Sequence, residues 1–344
     1  MPFPPLHIIP PAGFTRSLAQ RNCAARFEQL DDDEIELAKQ AVVDWLGVTL
    51  AGAHIPALKP LYDEITATSA AGSANVLGHG KLAPGAAALL NGTASHVLDF
   101  DDTHLAVNGH ASAPVLAAAL ALAQDSKLSG RALIEAYVVG FETVCMVAQM
   151  LGPAHFERGF HATATTGAIG AAAACSKLLN LDVDATERAF ALAATRASGL
   201  QAVFGSPAKP LNVGHAAQAG LLAARLAQAG FQAPAGALHP NQGIASAYSD
   251  GGSAARGLAT PTQGSFLRTN LFKLHASCFL THAAIAGIAE LRRQLQLQPE
   301  NVERCTIFVE PKYHRVCSID WSDQDLQGKF SLRFCSALSL AGMD

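Results

Sequence analysis

Two neighbouring segments decide the fold: SAPVLAAALALAQD at residues 112–125 and SGRALIEAYVVGFETVCMVAQML at residues 129–151. Apolar residues occupy most positions of both segments rather than a single face, and alanine is frequent in them. Alanine favours helix formation, and a helix that is apolar on most sides lies inside a protein. Both segments are therefore predicted to be buried helices, and the fold class is predicted to be mainly α.

Helical signals continue on either side of this pair. Acidic residues begin the segment 31–53, where the helix dipole favours negative charge. Asp184 and Glu187 form a capping box, and Gly230 is typical of the left-handed residue that follows a helix. Besides the first pair, helices are predicted over residues 31–53, 84–98, 184–197, 215–229 and 281–296.

The sequence pattern changes near residue 265. Before that point, alternation of apolar and polar residues is almost absent, and residues 232–264 have the Gly, Pro, Ser and Gln content of a long connection. After it, ERCTIFVE at residues 303–310 predicts a β-strand. We therefore expect an all-helical domain over residues 1–265 and a smaller α+β domain over residues 266–344. The second domain looks incomplete, because KFSLRFCSALSLAGMD ends the sequence inside an apolar stretch.

Composition argues against several classes of protein. Of the 344 residues, 15% are charged and the formal net charge is −4, so the chain has no basic surface for nucleic acid. Its seven cysteines are an odd number without a CxxC pair, which argues against a disulfide framework and against a thiolate zinc site. So few charges on so large a chain suggest that a second subunit covers part of its surface.

Neither a secretion signal nor a membrane segment is recognised. The N-terminal MPFPPLHIIPPAGF is proline-rich and lacks the basic and then apolar pattern of a signal peptide. No apolar run reaches the roughly 18 residues that would span a membrane. We expect a cytoplasmic protein with no membrane partner.

Charged and polar groups are concentrated in NGTASHVLDFDDTHLAVNGHAS at residues 91–112. Ionised groups are costly to place beside an apolar core, so a dense cluster of them is expected to serve a function. The cluster contains His96, Asp99, Asp101, Asp102, Thr103, His104 and His110.

Several interpretations of this stretch are open. Asp99, Asp101 and Thr103 match the DxDxT spacing of aspartyl-phosphate phosphatases, but ALLNGTASHVL before them is predicted as helix and turn instead of the required strand. Asp99 and Asp102 could offer oxygen ligands to magnesium or manganese from one helix face, although no HxxxH or HExxH pair occurs in residues 96–110. Alternatively, the aspartates cap a helix and lie in solvent.

Other segments supply further candidate groups. His161 precedes a small-residue helix in GFHATATTGAIG, where the helix dipole disfavours the imidazolium and leaves the ring available as a base. Lys209 stands between Pro207 and Pro210 in an apolar stretch that is expected to be a rigid loop, where it could bind an anion. The segment FKLHASCFLTH at 272–282 adds candidates that are individually explained as well by structural roles: Lys273, His275, Cys278 and His282.

The order of these motifs resembles that of the MmgE/PrpD family: NGTASHVLDFDDTH, GHASAPVL, SGRALIEAYVVGFE, GFHATATTGAIGAA, AKPLNVGHAAQAG, a lysine–histidine segment and KFSL. The likeness extends from about residue 20 to residue 344, and the DFDDTH and AKPL blocks are its specific parts. The family includes 2-methylcitrate dehydratase, cis-aconitate decarboxylase and iminodisuccinate epimerase. The resemblance implies a large helical domain, a smaller α+β lid, a homodimer, and chemistry on a di- or tricarboxylate without a metal ion or other cofactor.

The resemblance also implies the site residues. The residues that match the family's active-site positions are Asp99, Thr103, His110, His161, Lys209 and Lys273. Asn212 departs from the family pattern, because histidine is common there, and FKLHASCFLTH lacks the usual tyrosine and proline after its lysine. Members of the family also continue beyond the position of residue 344.

On this basis, His161 and His110 are predicted to be the acid–base pair, and Asp99 is predicted to orient a histidine and raise its basicity. Lys209 is predicted to take part in catalysis and to bind a substrate carboxylate. Carboxylate binding is also predicted for Thr103, Lys273 and His282.

The resemblance implies a lyase or isomerase, in the first place a hydro-lyase with chemistry like that of 2-methylcitrate dehydratase, with decarboxylation and epimerisation as the alternatives within the family. All three reactions need the same acid–base groups next to a carboxylate. A non-catalytic dimer with a shortened C-terminus and a DxDxT phosphohydrolase are the alternatives from other classes.

Overall fold

The computed structural model describes residues 13–238, 242–311, 313–320 and 325–343. The chain is mainly α-helical, as predicted. Its helices are α1 Gly13–Ala24, α2 Asp32–Gly52, α3 Lys59–Thr68, α4 Pro84–Val97, α5 Ser112–Asp125, α6 Gly130–Leu151, α7 Pro153–Glu157, α8 Ala162–Leu178, α9 Val183–Ala194, α10 Ala208–Gln228, α11 Ile244–Tyr248, α12 Ala254–Leu258, α13 Phe279–Leu295, α14 Tyr313–Val316, α15 Asp325–Gly328 and α16 Leu332–Leu340.

The helices predicted around residues 31–53, 84–98, 112–125, 129–151 and 281–296 are confirmed as α2, α4, α5, α6 and α13. The predicted cap of α9 was wrong by two residues. Asp182 is the N-cap residue, and its side chain accepts a hydrogen bond from the backbone N–H of Ala185 at 2.7 Å. Gly230 has the left-handed backbone expected after α10, with φ of 83°.

The prediction of a rigid loop around Lys209 was wrong. Helix α10 begins at Ala208 instead of residue 215, and Lys209 and Pro210 lie in its first turn. The backbone nitrogens of a first turn have no partner within the helix, so the missing N–H of Pro210 costs little there. The prolines thus mark the start of a helix.

Two predictions about strands were also wrong. The segment expected to be all-helical contains an antiparallel hairpin of β1, Ala71–Asn75, and β2, Lys81–Leu82, with Asn75 opposite Lys81. Its sequence lacks the apolar alternation on which a strand prediction depends. Conversely, residues 303–310 form no strand, and Phe308 is 94% exposed. A strand needs a neighbour to satisfy its backbone, and none pairs with this segment among the described residues.

The main core is built around α8, which is buried along nearly its whole length and contacts α5, α6, α9 and α10. Small residues allow this close approach. At the crossing of α8 and α6, a Cβ atom added to Gly170 would lie 2.8 Å from the carbonyl oxygen of Gly140, and still nearer to Val144. The alanine-rich composition therefore produces tightly packed helices, in which glycine is required at this crossing.

Helix α6 is long and apolar enough to cross a membrane by length and composition. However, 67% of its most apolar window is buried inside the protein, as in a core helix. The sequence prediction that this segment is a buried helix is therefore confirmed by its packing.

A second, smaller apolar cluster contains Cys278, Val316, Cys317 and Phe330, and α13 packs against α16 nearby. The chain returns to the main core just before this cluster. Thr103 and Leu271 exchange backbone hydrogen bonds of 2.8 and 3.0 Å in an antiparallel bridge. The boundary at residue 265 stays a prediction, and the N-terminal segment on which the missing signal peptide was predicted lies outside the described residues up to residue 12.

Candidate active site

The loop between α4 and α5 carries the charged stretch, and it is folded inward. Asp99 turns the chain at the end of α4 with a left-handed backbone, φ 51°, and the backbone N–H of His104 donates to the carbonyl of Gly109 at 2.8 Å. These turns bury charged side chains that would otherwise be solvated: Asp99, Asp101 and Asp102 are each at most 2% exposed. Buried charges require partners, and the partners come from distant segments.

Asp99 is the centre of an ion-pair cluster. The ammonium group of Lys209, from the first turn of α10, lies 2.5 Å from its Oδ1 atom. The Lys273 ammonium group lies 3.3 Å from Oδ2 and donates to the backbone carbonyls of Asp99 and Ser277 at 2.6 and 3.1 Å. Burial alone would raise the pKa of Asp99, but the two ammonium groups outweigh it and hold that pKa well below its usual value. Asp99 is therefore a carboxylate.

Asp101, rather than Asp99, contacts the Nδ1 atoms of two histidines. Its Oδ2 atom lies 2.8 Å from Nδ1 of His96 and 3.2 Å from Nδ1 of His110. The same nitrogen of His110 lies 2.7 Å from the backbone carbonyl oxygen of Asp102, while its Nε2 atom lies 3.7 Å from Oδ1 of Asp99. These acceptors favour a proton on Nδ1 of His110 and direct Nε2 towards the ion-pair cluster.

His161 is the N-cap residue of α8 and stacks on His96 with ring centroids 5.4 Å apart. Its backbone N–H donates to the carbonyl of Gly199 at 3.0 Å, but its buried Nδ1 atom has no hydrogen-bond partner among the residues that the structure describes. Burial, followed by the nearby His96 and Lys209, lowers the pKa of His161 well below its usual value. The ring is therefore neutral at pH 7.

An apolar wall covers the cationic side of the site. The ammonium group of Lys209 lies 4.7 Å from the ring centroid of Phe330 and 5.5 Å from that of Phe204. The edge of Phe204 also meets His161, with centroids 5.1 Å apart. Aromatic faces attract cations, and a wall that excludes water strengthens every charge interaction beside it.

The third aspartate fixes the loop to its surroundings. Asp102 accepts hydrogen bonds from the hydroxyl group of Ser112 and from Nδ2 of Asn270, the latter at 2.7 Å. Ser112 in turn lies 2.8 Å from the hydroxyl oxygen of Tyr137. Because Leu271 pairs with Thr103, the contact of Asn270 holds the residues that lead to Lys273 against the loop. The carboxylate of Asp102 thus contacts neutral hydrogen-bond donors, whereas that of Asp99 contacts two ammonium groups.

A family model matches most of this chain. The model of the MmgE/PrpD N-terminal domain matches residues 16–256, which contain every group described above except Asn270, Leu271, Lys273, Ser277 and Phe330. The chain belongs to the MmgE/PrpD family. This membership agrees with the resemblance seen in the sequence motifs.

Curated relatives are similar over much of the chain. A cis-aconitate decarboxylase of Aspergillus terreus is 31% identical over 299 residues, which cover 81% of this chain and 60% of the relative. The cis-aconitate decarboxylases of Homo sapiens and Mus musculus are 32% and 33% identical, and each match covers 69% of this chain and 50% of the relative. The chain therefore spans between half and three-fifths of the length of these relatives.

In this MmgE/PrpD chain, the residues predicted for the site do not all meet. Asp99, His110, His161, Lys209 and Lys273 converge in the cluster. Two other residues that were predicted to bind substrate have different surroundings. The hydroxyl group of Thr103 donates to the carbonyl of Gly109 at 3.1 Å. The Nε2 atom of His282 lies 3.4 Å from the carbonyl oxygen of Ser277, which also accepts a hydrogen bond from Lys273.

Four side chains at the end of α4 and in the loop lie close enough together to be considered as metal ligands. One ligand atom each from His96, Asp99, Asp101 and His110 lie within 4.8 Å of one another. Two ammonium groups already neutralise Asp99, and they would repel a divalent cation placed there. The two ammonium groups therefore argue against a divalent cation beside Asp99 in this MmgE/PrpD chain.

The alternative interpretations of the charged stretch require a helix face or a preceding strand, and the described loop has neither. The helix face expected to carry Asp99 and Asp102 does not form, because both residues follow α4 and neither is helical. A DxDxT phosphatase site requires a preceding strand, and helix α4 occupies that position. The solvent-exposed cap was wrong, because all three aspartates are buried and only Asp102 approaches the start of α5.

Sequence reasoning missed five side chains of the site. His96 and Asp101 lie in the charged stretch, but nothing in their spacing shows which of the three aspartates faces a histidine. Phe204 and Phe330 form the apolar wall, and their positions depend on long-range packing. Asn270, which fastens the segment before Lys273, has no sequence signal at all.

Proposed function

We propose that this protein is a metal-independent lyase that decarboxylates a small di- or tricarboxylate, with cis-aconitate as the first substrate to test. The single observation that carries the proposal is the buried convergence of Lys209 and Lys273 on Asp99, with His110 and His161 beside them. Relatives named as cis-aconitate decarboxylases support the choice among the reactions of the family.

Lys209 is the cation best placed to hold a substrate carboxylate. It has one carboxylate oxygen and two aromatic faces around its ammonium group. Lys273 is enclosed by the carbonyls of Asp99 and Ser277 and the Asp99 carboxylate, so it acts by fixing Asp99 and adding positive charge. Cations in a site that excludes water bind anions far more strongly than they do at a surface.

Decarboxylation needs stabilisation of negative charge and then a proton. The C–C bond to one carboxylate breaks, carbon dioxide leaves, and the bonding electron pair stays on the substrate carbon. Delocalisation of that pair towards a remaining carboxylate is favoured by the Lys209 charge. His110 then donates a proton from Nε2 to the substrate carbon, and its imidazolium form is stabilised by Asp101 at Nδ1. The neutral His161 assists as a base or hydrogen-bond partner.

The test begins with binding and ends with a product. Thermal-shift measurements with citrate, 2-methylcitrate, cis-aconitate and substituted succinates identify ligands, and NMR of each mixture identifies any product. We expect loss of carbon dioxide from cis-aconitate. Formation of a hydrated, dehydrated or inverted product would replace decarboxylation by another reaction of the family, and no shift with any acid would contradict a polycarboxylate site.

Variants separate catalysis from folding. Lys209→Ala and His161→Ala are expected to lower turnover by about 10²-fold or more while the protein stays folded. Lys177→Ala is the matched control, since Lys177 is also largely buried and lies 3.0 Å from Glu135, but it lies in the last turn of α8, at the opposite end from His161. Full turnover in either site variant, or equal loss in the control, would contradict the assignment.

A further inference from the structure

We infer that Asp101 and His96 are a positioning pair for His110: the carboxylate of Asp101 lies beside Nδ1 of His110, whose hydrogen-bond acceptor is the backbone carbonyl of Asp102, and His96 holds that carboxylate in place. The inference rests on the proposed function only in naming the proton that His110 transfers. The geometry itself lies in buried parts of α4 and of the loop that follows it.

The first step is the shared carboxylate oxygen. Oδ2 of Asp101 lies 2.8 Å from Nδ1 of His96 and 3.2 Å from Nδ1 of His110. The other oxygen, Oδ1, is buried without a hydrogen-bond partner in the described part of the chain. Both histidines therefore share one oxygen, and Asp101 has no other polar side chain to hold its orientation among the described residues.

The second step is the state of His96. Burial, opposed by Asp101, lowers the pKa of His96 to about 4. The ring is therefore neutral at pH 7. Its proton lies on Nδ1, where it reaches Asp101, because Nε2 of His96 is buried with no partner among the described residues. A neutral donor fixes the carboxylate without cancelling its charge, so that charge remains available to His110.

The third step is the set of groups that surround the His110 ring. The edge of this ring meets the His96 ring with centroids 4.6 Å apart, and its Nε2 atom faces Asp99 at 3.7 Å. The ionisable groups around it are Asp99, Asp101, Asp102, His96 and His161, with Lys209 and Lys273 acting through Asp99. Of the carboxylates, only Asp101 contacts Nδ1; Asp102 reaches it through a backbone carbonyl.

The test uses the full chain labelled with ¹⁵N in histidine. NMR follows the titration of the His110 ring, which is identified by its loss in His110→Gln. In Asp101→Asn, the midpoint of this titration should move to lower pH by about one unit or more, since a contacting carboxylate stabilises an imidazolium by about that much. Asp101→Glu should restore much of the change. No substrate is needed, so the result is independent of the proposed activity.

Two further variants make the result decisive. Asp102→Asn is the matched control, because its carboxylate is equally buried but bonds Ser112 and Asn270 instead of a ring, and its effect on the midpoint should be much smaller. His96→Phe should also move the midpoint to lower pH, by less than Asp101→Asn does, because the Asp101 carboxylate then loses the donor that holds it beside the His110 ring. An unchanged midpoint in Asp101→Asn, or equal shifts in the two aspartate variants, would overturn the inference.

Where the enzyme turns over a carboxylate, kinetics add a second measurement. Asp101→Asn should lower kcat with little change in KM, because the carboxylate does not face the anion site. A change confined to KM would contradict a positioning role.

Discussion

At the scale of single residues, the carboxylate of Asp99 is the counter-ion of two buried ammonium groups. Lys209 and Lys273 both point at it, and neither has a second acidic side chain within ion-pair distance among the described residues. Asp99, Lys209 and Lys273 together therefore carry one net positive charge, and the carboxylate of Asp101 lies close by. The dependence of both cations on Asp99 predicts how the fold responds to loss of that carboxylate.

Asp99→Asn should lower the free energy of unfolding by about 3–5 kcal/mol, because two buried ammonium groups would then lack a counter-charge. Asp63→Asn is the matched control. The ion pair of Asp63 with Lys59 is nearly as short, at 2.6 Å, but both side chains are more than 60% exposed, so the loss should be less than about 1 kcal/mol. Urea unfolding of both variants measures the difference. Similar small losses would show that the cations do not depend on Asp99.

At the scale of elements, the site depends on how the residues before α13 are fastened to α6 and to the loop. Asn270 and Leu271 contact the loop, and the backbone N–H of Leu267 donates to the carboxyl group of Glu142 at 2.9 Å. Lys273 follows these contacts directly. If these contacts weaken, we therefore expect Lys273 to shift relative to Asp99, although Lys273 is distant from Glu142 in sequence.

Glu142 makes this attachment sensitive to pH. Burial raises the pKa of Glu142 from 4.5 to about 7. The folded protein therefore binds this proton more tightly than the unfolded chain does. The contribution of Glu142 to the free energy of unfolding is therefore fully present below about pH 4.5 and is lost as the pH rises through about 7.

Replacement by glutamine should remove that dependence. The free energy of unfolding of Glu142→Gln, relative to the parent protein, should rise between pH 5 and pH 8 by up to about 3 kcal/mol. Urea unfolding at both pH values measures it, and subtracting the parent curve cancels the contributions of the histidines. Glu36→Gln, at an exposed position of α2, controls for the exchange of glutamate for glutamine itself. A flat difference for Glu142 would show that this carboxyl group is already ionised.

At the scale of the whole molecule, the helical core depends on close approach of backbones around α8. Gly170→Ala should lower the free energy of unfolding by about 1–3 kcal/mol, because the added methyl group would press on the carbonyl of Gly140 and on Val144. Gly47→Ala is the control: this glycine lies inside α2 with nothing within 4 Å of an added Cβ atom, so a gain of up to about 1 kcal/mol is expected. Thermal unfolding of both proteins measures these changes, and a gain at Gly170 would disprove the tight crossing.

Assembly and location remain predictions for the whole molecule. The homodimer and the cytoplasmic location follow from composition and from the family resemblance. Light scattering on the purified chain would measure the first, with twice 35.7 kDa as the expected mass.

Local sequence determined most of the helices. The apolar and alanine-rich segments at 112–125 and 129–151 could hardly be stable except as buried helices, and the acidic start of α2 and the glycine after α10 follow from the same local chemistry. The sequence also located the charged stretch and five of the residues that meet in the site. These features need only neighbours along the chain, or a motif order that many members of a family share.

The tertiary structure alone decided which charges face each other. Nothing local distinguishes Asp99 from Asp101, yet the turn at Asp99 directs one carboxylate to two lysines and the other to two histidines. The hairpin at residues 71–82 and the absence of a strand at 303–310 have the same origin, because a strand depends on a partner elsewhere in the chain. The periodicity of apolar residues predicts which surface of a helix is buried. Only the tertiary fold brings residues 96–110, 161, 209 and 273 within a few ångströms of one another, where their charges shift each other's pKa values.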